Sequence, residues 1–183
     1  MSQIFHFENC FSTNDEILSL LNEDESTAVF TFNQTKGRGQ YGNIWKVIPN
    51  QNLAYSIAIK TSNIRISDTF LNYYTAIIVR DFLANLTNAS CKIKWPNDII
   101  LNGKKGCGIL IEKKKVENVE YYILGIGINV LQTDFTNLPK AGSVLTATDL
   151  SFDLKEFTNQ FHQYLISRIQ DINPEEEILN IYN

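Results

Sequence analysis

The sequence predicts an α/β (α+β) domain in which helices pack on a mixed, mainly antiparallel sheet. Residues 53–60 alternate large with small or polar side chains, which is the period of a strand, whereas apolar residues recur at helical spacing over 67–86. Asn102-Gly103 between two apolar runs is a strong hairpin signal, and hairpins join antiparallel strands. A chain of 183 residues can bury a core, and we expect one domain over residues 1–183.

The N-terminal half is expected to begin with a short helix over 12–22. Ser12 or Thr13 can cap this helix, and the acidic residues of its first turn suit the positive end of the helix dipole. A β-rich run at 27–32 then leads directly into a glycine-rich loop. The later segments follow in this order: strand 53–60, helix 67–86, strands 98–101, 106–112 and 119–130, loop 131–148, and a helix from about Phe152.

Charge and cysteine usage exclude several classes of protein. The only basic run, the lysines at 113–115, stands among glutamates and predicts a solvated hairpin tip. The net charge of −4 and the pI of about 5.2 argue against a nucleic-acid-binding surface, which needs a concentrated basic face. No run approaches the ~18 apolar residues that a membrane span requires. Cys10, Cys91 and Cys107 lack a CxxC pair, so we expect reduced thiols in a cytoplasmic protein.

The common catalytic motifs are absent from the sequence. It contains neither a GxSxG nucleophile elbow nor a GxxxxGKS/T phosphate loop. His6 and His162 are expected to pack in the fold or lie at its surface rather than to bind a metal. Any reaction must therefore depend on the positioning of reactants and on electrostatics.

Four segments are more specialised than plain structure requires, and the first is QTKGRGQYGNIW (34–45). Gly37 and Gly39 allow backbone amides to approach a ligand closely, and Arg38 can form a fork of hydrogen bonds with a carboxylate or phosphate. Glycine-rich surface loops that bind nothing are about as common, so this loop alone leaves both interpretations open.

The second and third segments are KWPNDIIL and GKKGCGILIE. A turn with Trp95 packed in the core would explain the second segment. Gly106 and Gly108 interrupt an otherwise good strand, which indicates close approach by a ligand or by another backbone. Lys105 stands near the entrance of that strand, although lysine after Asn-Gly is also ordinary turn chemistry.

The fourth segment is LGIGIN, in which Gly125 and Gly127 alternate and so lie on the same face of a strand. Asn129 follows on that face. Together with the glycines of the third segment, these positions predict two neighbouring strands with bare faces. Such a pair forms a flat slot that suits a planar or thin ligand.

The segments STN, QTKGRGQYGNIW, KWPNDI, KKGCGILIE and GIGIN resemble, in sequence and spacing, the catalytic domain of biotin protein ligases over residues 11–130. The resemblance implies a fold like that of class II aminoacyl-tRNA synthetases and biotin ligases. It also implies a two-step reaction that uses ATP, Mg²⁺ and biotin. Biotin and ATP first form biotinyl-5′-AMP, and a lysine of a biotin carboxyl carrier domain then accepts the biotin.

The resemblance also implies roles for the residues that match the family motifs. Arg38 and Lys105 would carry the catalysis by holding the biotin carboxylate and the phosphate. The residues implied in biotin binding are Ser12, Thr13, Asn14, Gln34, Gly37, Arg38, Gly39, Gln40, Lys105, Gly108, Gly125 and Gly127. The residues implied in nucleotide binding are Arg38, Trp45, Asn97, Lys105 and Asn129, and no metal ligand is assigned.

The sequence departs from the family pattern in two respects. Many members read GRGR in the loop, but Gln40 replaces the second arginine here, and a neutral amide cannot offset phosphate charge. We therefore expect retention of the adenylate to depend on Lys105 and Arg38. Members usually continue into a small C-terminal β domain, which we expect to be absent or truncated, since the sequence ends at Asn183. An N-terminal DNA-binding domain is not expected either.

Two alternatives to a biotin ligase remain open from the sequence. A lipoate or octanoate ligase would share the broad fold and the adenylate chemistry, but it is expected to lack the KWPND run. A non-catalytic module that binds biotin or biotinyl-AMP would be favoured if the C-terminal part proved essential. A monomer and a homodimer are both compatible with the sequence.

Overall fold

The computed structural model describes residues 2–21, 26–169, 175, 178 and 179. The chain divides into two compact units: unit 1 is Met1–Arg65 with Ile109–Gly127, and unit 2 is Ile66–Gly108 with Ile128–Asn183. The strands are β1 (Ser2–Phe7), β2 (Ser26–Thr31), β3 (Gly37–Arg38), β4 (Ile44–Trp45), β5 (Asn52–Lys60), β6 (Cys91–Lys94), β7 (Asp98–Leu101), β8 (Lys104–Val116) and β9 (Val119–Asn129). The α-helices are α1 (Thr13–Glu16), α2 (Asp68–Thr87), α3 (Val144–Thr148) and α4 (Leu154–Ile169).

The sheet of unit 1 has the strand order β1-β2-β5-β9-β8, and both β8 and β9 also extend into unit 2. β1 runs parallel to β2, whereas β2 runs antiparallel to β5 with Thr27 opposite Ala58. The strands expected over 27–32 and 53–60 are confirmed. The sequence does not predict β1, because none of its residues is fully buried and its apolar pattern is correspondingly weak.

In the core of unit 1, the first helical segment of the chain packs against the sheet. The helix expected over 12–22, whose last residue is not among those described, is confirmed only in its first part, since α1 passes into a 3-10 turn at Ile17–Leu20. Ser12 occupies the N-cap position without a side-chain cap, and its carbonyl accepts from the N–H groups of Asp15 and Glu16. The central buried residues of this core are Ile17, Val29, Ala58, Tyr121 and Ile123.

The glycine-rich segment of unit 1 forms a small hairpin rather than an open loop. β3 pairs antiparallel with β4, so that Gly37 lies opposite Trp45 and Arg38 lies opposite Ile44. A 3-10 turn at Gln40–Gly42 connects the two short strands. The hairpin therefore gives the segment a defined backbone from which its side chains project.

The sheet of unit 2 consists of the first residues of β8 followed by β7 and β6, all antiparallel. The predicted hairpin between β7 and β8 is confirmed. Its turn residues Asn102 and Gly103 have φ values of 43° and 85°, a left-handed geometry that asparagine and glycine adopt readily. The mixed, mainly antiparallel sheet predicted from the sequence is thus confirmed.

The two long helices of unit 2 confirm those expected over 67–86 and from about Phe152. Phe82 of α2 packs against an aromatic group on α4, with ring centroids 5.2–5.6 Å apart. The rings that surround it are those of Phe157, Phe161 and Tyr164. Among the residues that the structure describes, no helix has both the length and the apolar character needed to cross a membrane.

The expectation of a continuous loop over 131–148 is wrong, because α3 forms at its end. The Ser143 side chain accepts from the Thr146 backbone N–H, and the Thr146 hydroxyl oxygen accepts from the Ser143 N–H. This is a capping box in which threonine takes the place that glutamate or glutamine usually occupies. Because threonine at this position does not match the usual capping-box pattern, the sequence alone does not predict α3.

The lysines at 113–115 lie within β8 and do not form the hairpin tip that was expected. Within the strand, Lys114 pairs with Glu112 at 3.2 Å, and the Lys113 ammonium lies 4.9 Å from the centre of the Tyr122 ring. The turn follows at Glu117, which has a left-handed φ of 52°. The turn therefore lies beyond the three lysines rather than at them.

Both histidines have the packing roles that the sequence suggests. His6 stacks on the Phe30 ring, with 4.6 Å between centroids and 17° between ring planes. His162 on α4 is 9% exposed, and burial lowers its pKa from the ordinary value. Neither belongs to a cluster of potential metal ligands within the described residues.

Candidate active site

A buried group of polar side chains lies in unit 1, where α1 approaches the residues that follow β2. Thr13, Asn14 and Gln34, which were implied in biotin binding, are each at most 8% exposed. The Thr13 backbone N–H donates to Gln34 Oε1 at 2.8 Å, and Thr13 Oγ1 lies 3.2 Å from the same oxygen. Ser12 precedes them and is also buried. The structure thus brings together the four residues implied at the biotin head.

Ser56 on β5 belongs to the same group, although the sequence interpretation missed it. Its Oγ lies 2.7 Å from Thr13 Oγ1 and 2.6 Å from Asn14 Oδ1. All residues of β5 from Asn52 to Ile59 are buried, and a buried hydroxyl needs a hydrogen-bond partner. A serine in the middle of an apolar strand is the signal that could have identified it.

Glu112 on β8 ends this polar chain and was missed as well. The Asn14 Nδ2 donates to Glu112 Oε2 at 2.7 Å. Burial raises the pKa of Glu112, but hydrogen bonds from Asn14 and Lys114, with the charge of Arg38, outweigh burial and leave the pKa below its ordinary value. Glu112 is therefore ionised at neutral pH and acts only as an acceptor. The acid that ends the GILIE run was its signal in the sequence.

Arg38 reaches the same carboxylate from the β3–β4 hairpin. Its Nη1 lies 2.5 Å from Asp15 Oδ2, while its Nη2 lies 2.8 Å from Asp15 Oδ1 and 3.2 Å from Glu112 Oε2. The hydrogen bond from Arg38 outweighs burial and lowers the pKa of Asp15, and that bond in turn raises the pKa of Arg38. The fork geometry expected toward a ligand carboxylate is thus formed with a carboxylate of the chain itself.

The glycines of β9 do not present a bare face, which corrects the slot expected from the sequence. A Cβ at Gly125 would lie 2.9 Å from Asn14 Cγ, and a Cβ at Gly127 would lie 2.7 Å from Cζ2 of the Trp45 indole. Both distances are too short for real contacts, so these positions require glycine. The groups that lie on the two glycines are the Asn14 and Trp45 side chains.

The remaining hairpin residues have distinct positions in unit 1. A side chain at Gly37 would collide with Gln34 and with the Trp45 backbone, so this glycine also permits a close approach. A Cβ at Gly39 would make only ordinary contact, 3.5 Å from Asn43 Cβ. Gln40 lies in the turn, where its carbonyl accepts from the Asn43 N–H at 3.1 Å.

Lys105 at the start of β8 is anchored in unit 2 by its backbone and its side chain. Its N–H donates to the Lys140 carbonyl at 2.8 Å, and its carbonyl accepts from the Gly142 N–H at 3.0 Å. The Lys105 ammonium lies 2.6 Å from Asp98 Oδ1, and Lys94 lies 3.8 Å from the other oxygen of that carboxylate. Asp98 was not among the expected site residues, although the KWPND run contains it.

The other expected residues of unit 2 take structural positions. Gly108 lies opposite Asp98 in the β7–β8 pairing, and Asn97 precedes Asp98 in the turn before β7. The Asn129 side-chain amide donates to the Gly142 carbonyl at 3.0 Å and is buried. Gly106 makes room for a side chain of the unit, since a Cβ there would lie 2.9 Å from Leu101 Cγ.

The suggestion that Trp95 packs in the core is wrong. Trp95 is 65% exposed, and its indole N–H donates to the Tyr73 hydroxyl at 3.1 Å. The Trp95–Pro96 peptide bond is cis. The KWPND run therefore displays its tryptophan at the surface of unit 2 instead of burying it.

Comparison with known proteins identifies the family. A profile of the biotin/lipoate A/B protein ligase family matches residues 8–129. The biotin–[acetyl-CoA-carboxylase] ligase of Paracoccus denitrificans is 33% identical over 137 residues, which are 73% of this chain and 55% of that protein. The bifunctional ligase/repressor BirA of Bacillus subtilis is 35% identical over 112 residues, 61% of this chain and 34% of that protein.

Solved structures agree with this assignment. The biotin protein ligase from Aquifex aeolicus, in complex with biotin and ATP, superimposes with a TM-score of 0.77 and 25% identity, covering 90% of this chain and 68% of that one. The chain spans between about one third and just over one half of the length of the two relatives above. Because the profile covers most of the chain and the fold agrees, the chain belongs to the biotin/lipoate A/B protein ligase family.

Proposed function

We propose that this chain is an ATP-dependent biotin ligase. In the first step a carboxylate oxygen of biotin attacks the α-phosphorus of ATP, which forms biotinyl-5′-AMP and releases pyrophosphate. In the second step a lysine amine of a carrier domain attacks the acyl carbon, and AMP leaves as the amine loses a proton. The names of the Paracoccus and Aquifex relatives support biotin over lipoate as the substrate.

The observation that carries the proposal is the polar chain from Thr13 to Glu112, with Arg38 bound at its end. A cluster of hydrogen-bonding groups with a guanidinium at its edge suits a ligand that has a polar ring at one end and an anion at the other. Ser12, Asn14 and Gln34 would bind the ureido ring of biotin. Arg38 would exchange Asp15 for the carboxylate or phosphate of the ligand.

The residues of unit 2 would serve the nucleotide and the transferred charge. Lys105 would stabilise the charge that develops at the carboxylate and the α-phosphate, since it is already paired with a carboxylate that a phosphate could replace. We propose nucleotide contacts for Asn97 and Asn129, and for Trp45 in unit 1. No side-chain nucleophile is needed, because the nucleophile belongs first to biotin and then to the carrier.

Mg²⁺ is expected to arrive with the triphosphate. Within the described residues no group of three or more histidines, cysteines, aspartates or glutamates could form a cage for a metal ion. Mg²⁺ commonly retains waters and binds through phosphates with only one or two carboxylates, so the missing cage does not conflict with its use. When bound, the ion would offset phosphate charge.

The proposed protein partner is a biotin carboxyl carrier domain. The net charge of −4 supports the absence of a nucleic-acid partner. The three cysteines are free thiols, which supports a location in the reducing cytoplasm. The proposal is compatible with a monomer or a homodimer.

The decisive test is biotin-dependent exchange of pyrophosphate with ATP on the purified protein. We expect exchange with biotin and none with lipoate, followed by transfer of biotin to a carrier domain. Exchange with lipoate but not with biotin would overturn the proposal in favour of a lipoate ligase. Tight biotin binding without exchange would favour a non-catalytic binding module.

A further inference from the structure

We propose that Glu112 is a positioning residue that fixes the orientation of the Asn14 amide and holds Arg38 beside it. Its geometry is independent of any ligand, whereas its purpose, the recognition of biotin, rests on the function proposed above. Glu112 lies on β8 and reaches residues of α1 and of the β3–β4 hairpin, all within unit 1. Through Glu112 the hydrogen-bonding and charged parts of the site share one acceptor.

The acceptor character of Glu112 gives the polar chain a direction. A carboxylate only accepts, so the Asn14 group that faces it must be the NH₂, and the Asn14 Oδ1 must face Ser56. An amide oxygen also only accepts, so the Ser56 hydroxyl must donate to it. At the 2.7 Å contact between the two hydroxyl oxygens, Thr13 must then donate its single hydrogen to Ser56 rather than to Gln34. Donation therefore runs from Thr13 through Ser56 and Asn14 to Glu112.

The same carboxylate oxygen restrains Arg38. Glu112 Oε2 accepts from Asn14 Nδ2 at 2.7 Å and from Arg38 Nη2 at 3.2 Å, while Oε1 lies 3.2 Å from the Lys114 ammonium. Arg38 has its second carboxylate, Asp15, on the more exposed side, where the Asp15 side chain is 48% exposed and Glu112 is 21% exposed. A ligand anion that replaces Asp15 would therefore find Arg38 still held by Glu112.

Glu112 Oε2 has two roles, as acceptor for the Asn14 amide and as the negative charge beside Arg38, and substitutions can distinguish them. Glu112→Gln keeps an oxygen that can accept from Asn14 but removes the charge that attracts Arg38. Glu112→Ala removes both. Glu120→Gln on the neighbouring strand β9 removes an exposed carboxylate and serves as the matched control.

The first measurement needs no ligand. We expect the side-chain amide resonances of Asn14, observed by ¹⁵N–¹H NMR of the whole chain, to shift in Glu112→Ala and to stay close to wild type in Glu112→Gln and Glu120→Gln. An Asn14 signal that is unchanged in Glu112→Ala would overturn the inference. This readout stands even if the protein binds no biotin, which would end the ligase proposal alone.

The second measurement is biotin affinity by calorimetry. The dissociation constant should rise about tenfold in Glu112→Ala, since a hydrogen bond to a charged group is lost, and less than about threefold in Glu112→Gln. In an Asn14→Ala background, Glu112→Ala should raise the dissociation constant by less than about threefold, as Glu112→Gln does, because only the effect through Arg38 remains. Additive losses in this cycle, or equal losses in Glu112→Gln and Glu112→Ala, would overturn the inference while biotin binding by the wild type keeps the proposed function.

Discussion

The two cations proposed to act on the ligand, Arg38 in unit 1 and Lys105 in unit 2, are held in place by different means. Arg38 is fixed through its side chain, by bonds to Asp15 and Glu112, and its backbone belongs to a strand of only two residues. The Lys105 backbone is bonded through both its N–H and its carbonyl. Its side chain forms an additional ion pair with Asp98.

The difference indicates how each cation can respond to an anion. A ligand at Arg38 would replace Asp15, one of the two carboxylates that bind the Arg38 side chain, so binding and hairpin position should be coupled. A ligand at Lys105 competes only with an ion pair of the side chain, since the backbone bonds remain. Arg38 is therefore expected to act as a mobile contact and Lys105 as a stationary one.

The largest effect is expected from Lys105→Ala. Removal of a charge-stabilising donor should lower the rate of biotin-dependent pyrophosphate exchange by about 10²–10³-fold. The melting temperature should change little, because the backbone bonds of Lys105 are kept. Lys104→Ala, which removes the neighbouring ammonium that donates to the Pro139 carbonyl, is the control and should retain exchange. Adenylate release that is unchanged in Lys105→Ala would count against the role in retention.

Arg38→Ala should lower the rate of biotin-dependent pyrophosphate exchange by about 10²-fold, because a bidentate charged contact is lost. It should also speed backbone hydrogen exchange in the β3–β4 hairpin, measured by mass spectrometry. Lys105→Ala should leave backbone hydrogen exchange in β8 unchanged. Equal effects of the two substitutions on backbone exchange would remove the distinction between a mobile and a stationary cation.

Alanine at the two glycines of β9 should destabilise unit 1. We expect Gly125→Ala and Gly127→Ala to lower the free energy of unfolding by about 1–3 kcal/mol each, since the new methyl groups would collide with Asn14 and Trp45. Gly39→Ala is the control for stability, because a Cβ there makes only ordinary contact. Urea denaturation measures the three values. Equal stability of all three variants would show that Asn14 and Trp45 yield easily.

Acid should weaken the contacts of Arg38. Asp15 and Glu112 have lowered pKa values in the folded protein, so the stability they contribute is present above the ordinary carboxylate values near ~4 and is lost as the pH falls below them. Because Asp15 is about half exposed, Asp15→Asn should cost less than about 1 kcal/mol at neutral pH, and the difference from wild type should shrink as the pH falls below ~4. Urea unfolding at several pH values, with Glu120→Gln as control, tests this.

The smallest effect is expected at Gln40. Gln40→Arg introduces the cation that many family members carry at this position. It should slow release of the adenylate by a few-fold, because the added charge attracts the phosphate. The effect is small because a charged contact at an exposed turn contributes about 1 kcal/mol or less. Release is followed with labelled biotin after rapid removal of ATP. Gln40→Lys is a useful companion, since it adds charge without the planar fork. Faster release in Gln40→Arg would contradict the expectation.

Much of the fold was predictable because the signals were local. The Asn102-Gly103 turn, the alternation over 53–60 and the helical spacing over 67–86 all depend on residues close together in the chain. The misses have equally specific causes. α3 was hidden by a threonine in its capping box, and β1 by a half-exposed pattern that carries little apolar signal.

The candidate site was predictable as a set of motifs but not as a set of contacts. The sequence identified Asn14, Arg38 and the β9 glycines through a resemblance that the family match supports. It missed Ser56, which belongs to no recognisable motif, and Glu112, which ends the GILIE run but was assigned no role.

By itself the sequence determined the family and the sheet-and-helix architecture. Only the tertiary structure decided that Asn14 meets Glu112, 98 residues further along the chain, and that Arg38 binds the same carboxylate. The physical reason is that the partner of a buried polar group depends on strand order and side-chain packing. No local pattern of residues specifies either of these.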